Sequence, residues 1–409
     1  MKKILRKSFA KIVLLVAIGV VAGLVVIETC LRIAGISYPM LYTCDEYCGA
    51  ALNPGAEGWW RKEGQAYIKI NSDGLRDRTH AKRKPPNTLR IAVLGDSYAE
   101  ALQVPIDKTF WSILESKLSE CDRVAGRKVE VINFGVSGYG TAQELMMLRH
   151  RVWDYHPDIV LLAFVTGNDI RNNLRSLEKN PMRPYFVFQE EKLVLDDSFL
   201  HSRAYVLCQS WMGRTYQRLA KYSRAFQVVR EFVMTIRNQR RARQQAAAIK
   251  GQQGELGLDN LIYLPPVSDE WKEAWRVTEA LVKTMRDEVE ARGADFLLVT
   301  LSSGIQVHPD PGKRRQFMEK LHVDNIFYPD HRIKEFAERH GISVLNLAPA
   351  FQAYAEKYRV FLHGFPNTQL GGGHWNENGH RLGGEMIAEK ICTNLPLPKA
   401  QKQTAPLRK

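Results

Sequence analysis

Ser97 is the residue whose placement most directly suits it to chemistry. The stretch Arg90-Ile91-Ala92-Val93-Leu94-Gly95-Asp96-Ser97-Tyr98 joins a short aliphatic run to a Gly-Asp-Ser turn. A run this short and this apolar reads as a strand covered on both faces, as in a parallel sheet. A hydroxyl on the turn leaving such a strand faces the crevice beyond the carboxyl ends of the strands, where open α/β sheets bind ligands. Serine is a weak nucleophile and needs a base within hydrogen-bond reach. Taken alone, Asp96-Ser97 describes a helix cap equally well.

Three further blocks stand beside it. Val129 to Asn133 is an apolar run leading into Phe134-Gly135-Val136-Ser137-Gly138, and Asp158 to Phe164 is another that ends in Thr166-Gly167-Asn168-Asp169. His374-Trp375-Asn376 precedes a helical pattern near the C-terminus. Ser97, Gly135, Asn168 and His374, in that order, resemble the SGNH hydrolases, also called the GDSL esterase/lipase family. The resemblance covers roughly residues 89–175 and 280–393. It implies that Ser97 is the nucleophile and His374 the base. It also implies an oxyanion hole built from the Ser97 and Gly135 backbone N–H groups and the Asn168 side chain. Such donors are each worth roughly 10²–10³ in rate where negative charge builds on a carbonyl oxygen.

One departure stands out. The family usually carries an aspartate three residues before the histidine, and here that position is Gly371, followed by Gly372 and Gly373. Glu377 stands at the corresponding spacing before His380, which falls inside the helical pattern; His363 has no supporting motif. The expectation is a Ser97–His374 dyad, its ring oriented by a backbone carbonyl or a neighbouring amide, with Glu377 and Asp330 dispensable. Asp96 and Asp169 are expected to hold their loops by local hydrogen bonds to backbone N–H groups.

The elements that must position these residues follow a strand–helix alternation, which predicts a parallel sheet. Strands are expected near residues 90–94, 129–133, 158–164, 294–301 and 342–347. Helices are expected near 108–120, 141–155, 269–292, 333–340 and 377–392. The fold class is therefore α/β, a flavodoxin-like three-layer sandwich on a five-stranded parallel sheet, with an N-terminal transmembrane helix and a helical and hairpin insertion. The divisions are a basic tail and anchor over 1–36, a linker with a small strand-bearing extension over 37–88, the catalytic domain over 89–395 and a flexible basic tail over 396–409. The domain is interrupted at about 176–275. In the extension, Tyr67 to Asn71 reads as a strand entering an Asp-Gly turn. Its Asn71-Ser72-x-Gly74-x-Arg76 stretch resembles membrane-anchored bacterial members of the family, although a plain structural hairpin accounts for it. In the insertion, Tyr185 to Leu195 reads as a hairpin with a charged turn. A long basic helical stretch from Ser202 to Ile249 and a mobile loop over Gly251 to Gly257 complete a cap over or beside the site.

Lys2, Lys3, Arg6, Lys7 and Lys11 precede an uncharged apolar run from Ile12 to Ile27, within a chain of net charge +14. That run approaches the ~20 apolar residues of a membrane span. Basic residues before it place the N-terminus in the cytoplasm and the rest outside. A cleaved signal peptide competes, but no A-x-A-like site follows. Among six cysteines, Cys44 and Cys48 are close enough in sequence for a disulfide in an oxidising compartment, with no further ligands nearby for zinc; Cys30, Cys121, Cys208 and Cys392 read as buried apolar fillers. The chain thus reads as a bacterial inner-membrane serine hydrolase facing the periplasm. The expected reaction is cleavage of an O-acyl ester, with an acylated cell-envelope polysaccharide as the substrate its location suggests, and with no cofactor, no metal and no nucleic-acid partner. A catalytically silent glycan-binding or scaffold module and an O-acyltransferase are the alternatives.

Overall fold

The structure, a computed structural model, describes residues 2–248 and 259–395. The expected loop over Gly251 to Gly257 and the tail over 396–409 lie outside the described residues. Eleven strands are present among those described. The extension holds β1 (Tyr42–Asp45), β2 (Gly49–Leu52), β3 (Glu57–Trp60) and β4 (Ala66–Lys69), which form two antiparallel hairpins. The domain then adds β5 (Thr88–Gly95), β6 (Lys128–Asn133), β7 (Ile159–Val165), β8 (Tyr185–Gln189), β9 (Lys192–Asp196), β10 (Asp295–Leu301) and β11 (Ser343–Asn346). Five of these form one parallel sheet in the order β11-β10-β7-β5-β6.

Period-2 alternation divides each central strand between two cores. Ile91 and Val93 of β5 join Phe110, Leu114, Ile387 and Ile391 on one face. Ala92 and Leu94 join Leu145, Leu281 and Phe336 on the other. Helices Phe110–Ser119, Ala348–Tyr358 and Glu377–Asn394 thus cover the first face, and Thr141–His150, Asp269–Ala291 and Tyr328–Arg339 the second. The expected three-layer sandwich is what forms. The chain leaves β5 for β6 on one side and returns to β7 on the other. The carboxyl ends of β5 and β7 therefore flank a topological switch point, where such sheets open a crevice.

Helices Pro311–Leu321 and Ala348–Tyr358 were not anticipated. The first is polar on most faces and buries only Arg314, so it shows little apolar periodicity; its start is set by Pro311 and by Asp310, which accepts the Gly312 N–H.

The cysteine reading is corrected. Cys44 is bonded to Cys208 and Cys121 to Cys392, whereas Cys48 is a buried thiol and Cys30 an exposed one. Sequence proximity misled here, because the turn over Asp45 to Cys48 is closed by Asp45, whose Oδ1 accepts the Tyr47 and Cys48 N–H groups. That turns the Cys48 side chain into the core.

The insertion begins with the β8–β9 hairpin, whose Glu190-Glu191 turn carries φ values of 47° and 63°. The basic stretch divides into helices Arg203–Gln209, Trp211–Tyr222 and Arg224–Ala248, the first two capped by Ser202 and Ser210. These helices bind the extension through Cys208 and through Lys221 Nζ, which donates to the Pro54 carbonyl at 2.6 Å. Helix Lys2–Ile33 contains an apolar, exposed segment, Lys11–Ile33, long enough to cross a membrane.

Candidate active site

Ser97 opens the short helix Ser97–Glu100 directly after β5, with Asp96 as its cap. Asp96 Oδ1 accepts the Tyr98 N–H at 2.9 Å, and Oδ2 accepts the Asn168 side-chain amide at 2.9 Å. The helix ends at Ala101 in the left-handed region. There the Arg76 guanidinium donates to the carbonyls of Glu100, Ala101 and Val104. Arg76 is buried, and desolvation lowers it to about 10. Glu100, also buried, accepts from the Tyr42 hydroxyl at 3.0 Å and from the Ser137 N–H; burial still pushes its carboxyl up. Two extension residues, Tyr42 and Arg76, therefore grip the far end of the turn that presents Ser97.

His374 comes to Ser97 from the other end of the chain. Its Nε2 lies 2.8 Å from Ser97 Oγ, and its Nδ1 lies 2.6 Å from Glu63 Oε2. Glu63 Oε1 also accepts the His374 backbone N–H at 2.8 Å. Burial works to raise the Glu63 carboxyl, but the hydrogen bonds and charge of His374 outweigh it and hold the group below its ordinary value. The Tyr98 ring packs 5.0 Å from the imidazole, and its hydroxyl donates to the Gly373 carbonyl at 3.1 Å.

Glu63 sits in the β3–β4 turn, and the expectation of a ring held by a carbonyl or an amide is overturned. The nearby amide, Asn376, instead caps the last helix by accepting the Asn378 and Gly379 N–H groups. Asn367 clips the Glu63 loop in place: its Oδ1 accepts the Gly64 N–H at 3.0 Å, and its Nδ2 donates to the Arg61 and Gly64 carbonyls. Gly373 is needed here. Its φ is +72°, and a Cβ would stand 2.2 Å from Glu63 Oε1. At Gly371, the position the family gives to aspartate, φ is +85° and a Cβ would meet His308 Cδ2 at 2.7 Å. Both the backbone and the space disfavour a carboxylate there. The signal missed in the sequence was Glu63 itself, 311 residues from its partner.

Asn168 follows β7, with one amide hydrogen committed to Asp96 and one left over. The Gly135 N–H donates to Asn133 Oδ1 at 3.0 Å. Gly135 lacks a side chain for a packing reason, since a Cβ would lie 2.4 Å from that of Ala99 on the Ser97 helix. Asp169 Oδ2 accepts the Val165 N–H at 2.7 Å, a local loop bond like that of Asp96. The remaining candidates are placed elsewhere. His380 is buried, its Nδ1 accepts the Phe110 N–H, and burial lowers it to about 3. His363 is bonded to Gly373 and Ser302 and lowered by burial to about 4. Asp330 is buried with Gln306 and Thr300, and Glu377 is exposed in the first turn of its helix.

A cavity of about 520 Å³ borders the β3–β4 hairpin, lined by Trp59, Trp60, Tyr216, Arg230 and Met234 among others, but not by Ser97 or His374.

No family model matches the chain. A curated arylesterase from Vibrio mimicus is 34% identical over 82 residues, which is 20% of this chain and 39% of that protein. The chain thus spans about two fifths of the curated relative it matches. Solved structures similar to it include an acetylxylan esterase from Geobacillus stearothermophilus, 11% identical, covering 75% of this chain and 95% of that one with a TM-score of 0.35. Another is a lipolytic protein of the G-D-S-L family from Desulfitobacterium hafniense, 11% identical, covering 73% and 98% with a TM-score of 0.33.

Proposed function

We propose that the protein is an exported, membrane-anchored serine hydrolase of the SGNH type that cleaves O-acyl esters through a Ser97–His374–Glu63 triad. The observation that carries this reading is the continuous chain of contacts from Glu63 Oε2 to His374 Nδ1 (2.6 Å) and from His374 Nε2 to Ser97 Oγ (2.8 Å). His374 takes the hydroxyl proton as Oγ attacks the ester carbonyl, then returns it to the departing alcohol; water repeats the sequence to release the acid. Glu63 stays ionised and accepts the hydrogen bond from His374 Nδ1–H, which fixes the tautomer and offsets the imidazolium charge. The Ser97 N–H and the uncommitted Asn168 hydrogen stabilise the oxyanion. The Gly135 N–H joins them by sharing or exchanging its bond to Asn133. Glu63 supplies the carboxylate whose absence at position 371 would favour a silent module.

Export is supported by the exposed apolar helix and by two disulfides, which persist in oxidising compartments. An acylated envelope polysaccharide is the substrate class that this location suits. The decisive experiment is labelling with a fluorophosphonate, together with turnover of a short-chain aryl ester. The wild type should do both and a folded Ser97→Ala variant neither. Equal labelling of the two would end the assignment.

A further inference from the structure

Two helices of the insertion, Trp211–Tyr222 and Arg224–Ala248, are joined to the end of the anchor helix. Glu28 Oε1 accepts the Arg224 N–H and Oε2 the Ala225 N–H, both at 3.0 Å, so the carboxylate caps helix Arg224–Ala248. Arg32 Nη2 donates to the Tyr222 carbonyl at 2.6 Å. At ~1.5 Å rise per residue, Glu28 and Arg32 stand about 6 Å apart along the anchor. The junction of helices Trp211–Tyr222 and Arg224–Ala248 is thereby set level with the polar end of the apolar segment.

These helices turn apolar side chains outward. Trp211 is 76% exposed, Tyr222 65%, Val229 61% and Phe232 66%. On helix Trp211–Tyr222, Trp211, Leu219 and Tyr222 fall within about 80° of one another at 3.6 residues per turn, a single stripe along the whole helix. On the next helix, Val229, Phe232 and Val233 also share one side. Residues 203–248 carry ten Lys and Arg side chains against one acidic residue, Glu231. A Trp- and Phe-bearing apolar face on strongly basic helices is the pattern of segments that lie in the interface of an anionic bilayer. Because the stripe runs the length of the helix, only a helix lying flat on that surface takes all of it out of water.

We propose that helices Trp211–Tyr222 and Arg224–Ala248 rest in the headgroup region of an anionic leaflet, with Trp211, Tyr222, Val229 and Phe232 inserted toward the acyl chains. The proposal rests on the retained anchor and is independent of the ester chemistry. It gives a physical role to the ties between these helices and the extension. Lys221 to Pro54 and Arg230 Nη2 to the Tyr38 carbonyl (3.0 Å), with Cys44–Cys208 on the preceding helix, hold the extension, and with it the β3–β4 hairpin that carries Glu63, at a fixed height above the membrane. The triad would then face esters presented close to the leaflet rather than free in solution.

The test uses the full chain reconstituted into vesicles of phosphatidylglycerol and phosphatidylcholine with brominated acyl chains, which quench tryptophan at short range. The quenched share of emission should fall in Trp211→Phe and reappear when Phe232→Trp is added to that variant, with aryl-ester turnover in detergent unchanged. If the protein floats with the vesicles but Trp211→Phe leaves the quenching unaltered, the platform is wrong and the anchor stands. If Trp211 is instead shielded only as copies associate, the face is a protein interface and the proposal is overturned. Failure to float would remove the anchor, and the platform with it. Equal quenching at Trp211 in purely neutral vesicles would overturn the preference for anionic lipid.

Discussion

A carboxylate against the Nδ1 of a catalytic imidazole selects the tautomer and stabilises the imidazolium, and an amide can do only part of the first job. Glu63→Gln should therefore lower kcat by on the order of 10²–10⁴-fold while KM moves little, measured on an aryl ester. Glu377→Gln should leave turnover near that of the wild type, because that side chain is exposed and distant in role. If the two substitutions behave alike, Glu63 is an ornament on a working dyad. Asn168→Ala should cost about 10²-fold in kcat as one oxyanion donor is lost, with part of the effect passing through Asp96, whose carboxylate the amide also binds. Ser97 and His374 were legible because each sits in a local pattern, a strand end and a loop before a helix, that constrains where the chain can put it. Glu63 was not, since its hairpin has no fixed spacing to either partner. The glycines at 371 and 373 did hold half of the information. By spacing they signal the loss of a carboxylate, whereas Gly373 makes room for one that arrives from elsewhere.

At the level of elements, the parallel sheet was readable because its five strands are short aliphatic runs separated by amphipathic helices. The extension was not, because aromatic, Gly- and Pro-rich segments obey turn chemistry rather than a period. Its docking combines scattered buried residues such as Leu41, Leu52, Ile68 and Ile70 with single polar contacts such as Tyr42 to Glu100 and Asn367 to Gly64. The same turn region assembles three buried acids, Asp96 after β5, Asp169 after β7 and Glu144 on helix Thr141–His150. Burial raises the Glu144 carboxyl well above its usual range, the charge of Asp96 adds to this, and Arg183 only partly opposes them. Neither Glu144 oxygen has a hydrogen-bond partner among the described residues. With its carboxyl raised by burial, Glu144 is expected to keep in the folded state a proton that the unfolded chain releases near its ordinary pKa. Above that pH the unfolded state binds fewer protons, so stability falls as pH rises. Glu144→Gln cannot lose the proton and should remove the share of that slope that Glu144 contributes, leaving the share of Asp169 and Asp96, whose carboxyls burial also raises. Thermal melts should show the variant gaining on the order of 2–4 °C at pH 8 and matching the wild type near pH 4. A gain of the same size at both values would point to packing rather than titration.

Across the whole molecule, two covalent ties join segments far apart in the chain: the extension to the insertion over 164 residues, and the turn after helix Phe110–Ser119 to the last helix over 271. Neither pairing could be read from spacing, since six cysteines allow many connectivities and only the fold brings these four together. Cross-links that close long loops restrict the unfolded chain and typically stabilise by about 2–4 kcal/mol each. The Cys121–Cys392 bridge fastens the helix that follows His374 to the first layer of the sandwich, so its loss should loosen the approach of the base to Ser97 as well as lower the melting temperature. A Cys121→Ser, Cys392→Ser double variant should melt several degrees below the wild type, and reductant should shift the wild type further than the variant. Thiol titration of the denatured, unreduced protein gives an independent reading. Two reactive groups, Cys30 and Cys48, are expected before reduction and six after. Six before reduction, in protein prepared through the export route, would show that neither bridge forms and would remove the disulfides' support for an oxidising compartment, while the Ser97–His374–Glu63 geometry would still stand to be tested by its own substitutions.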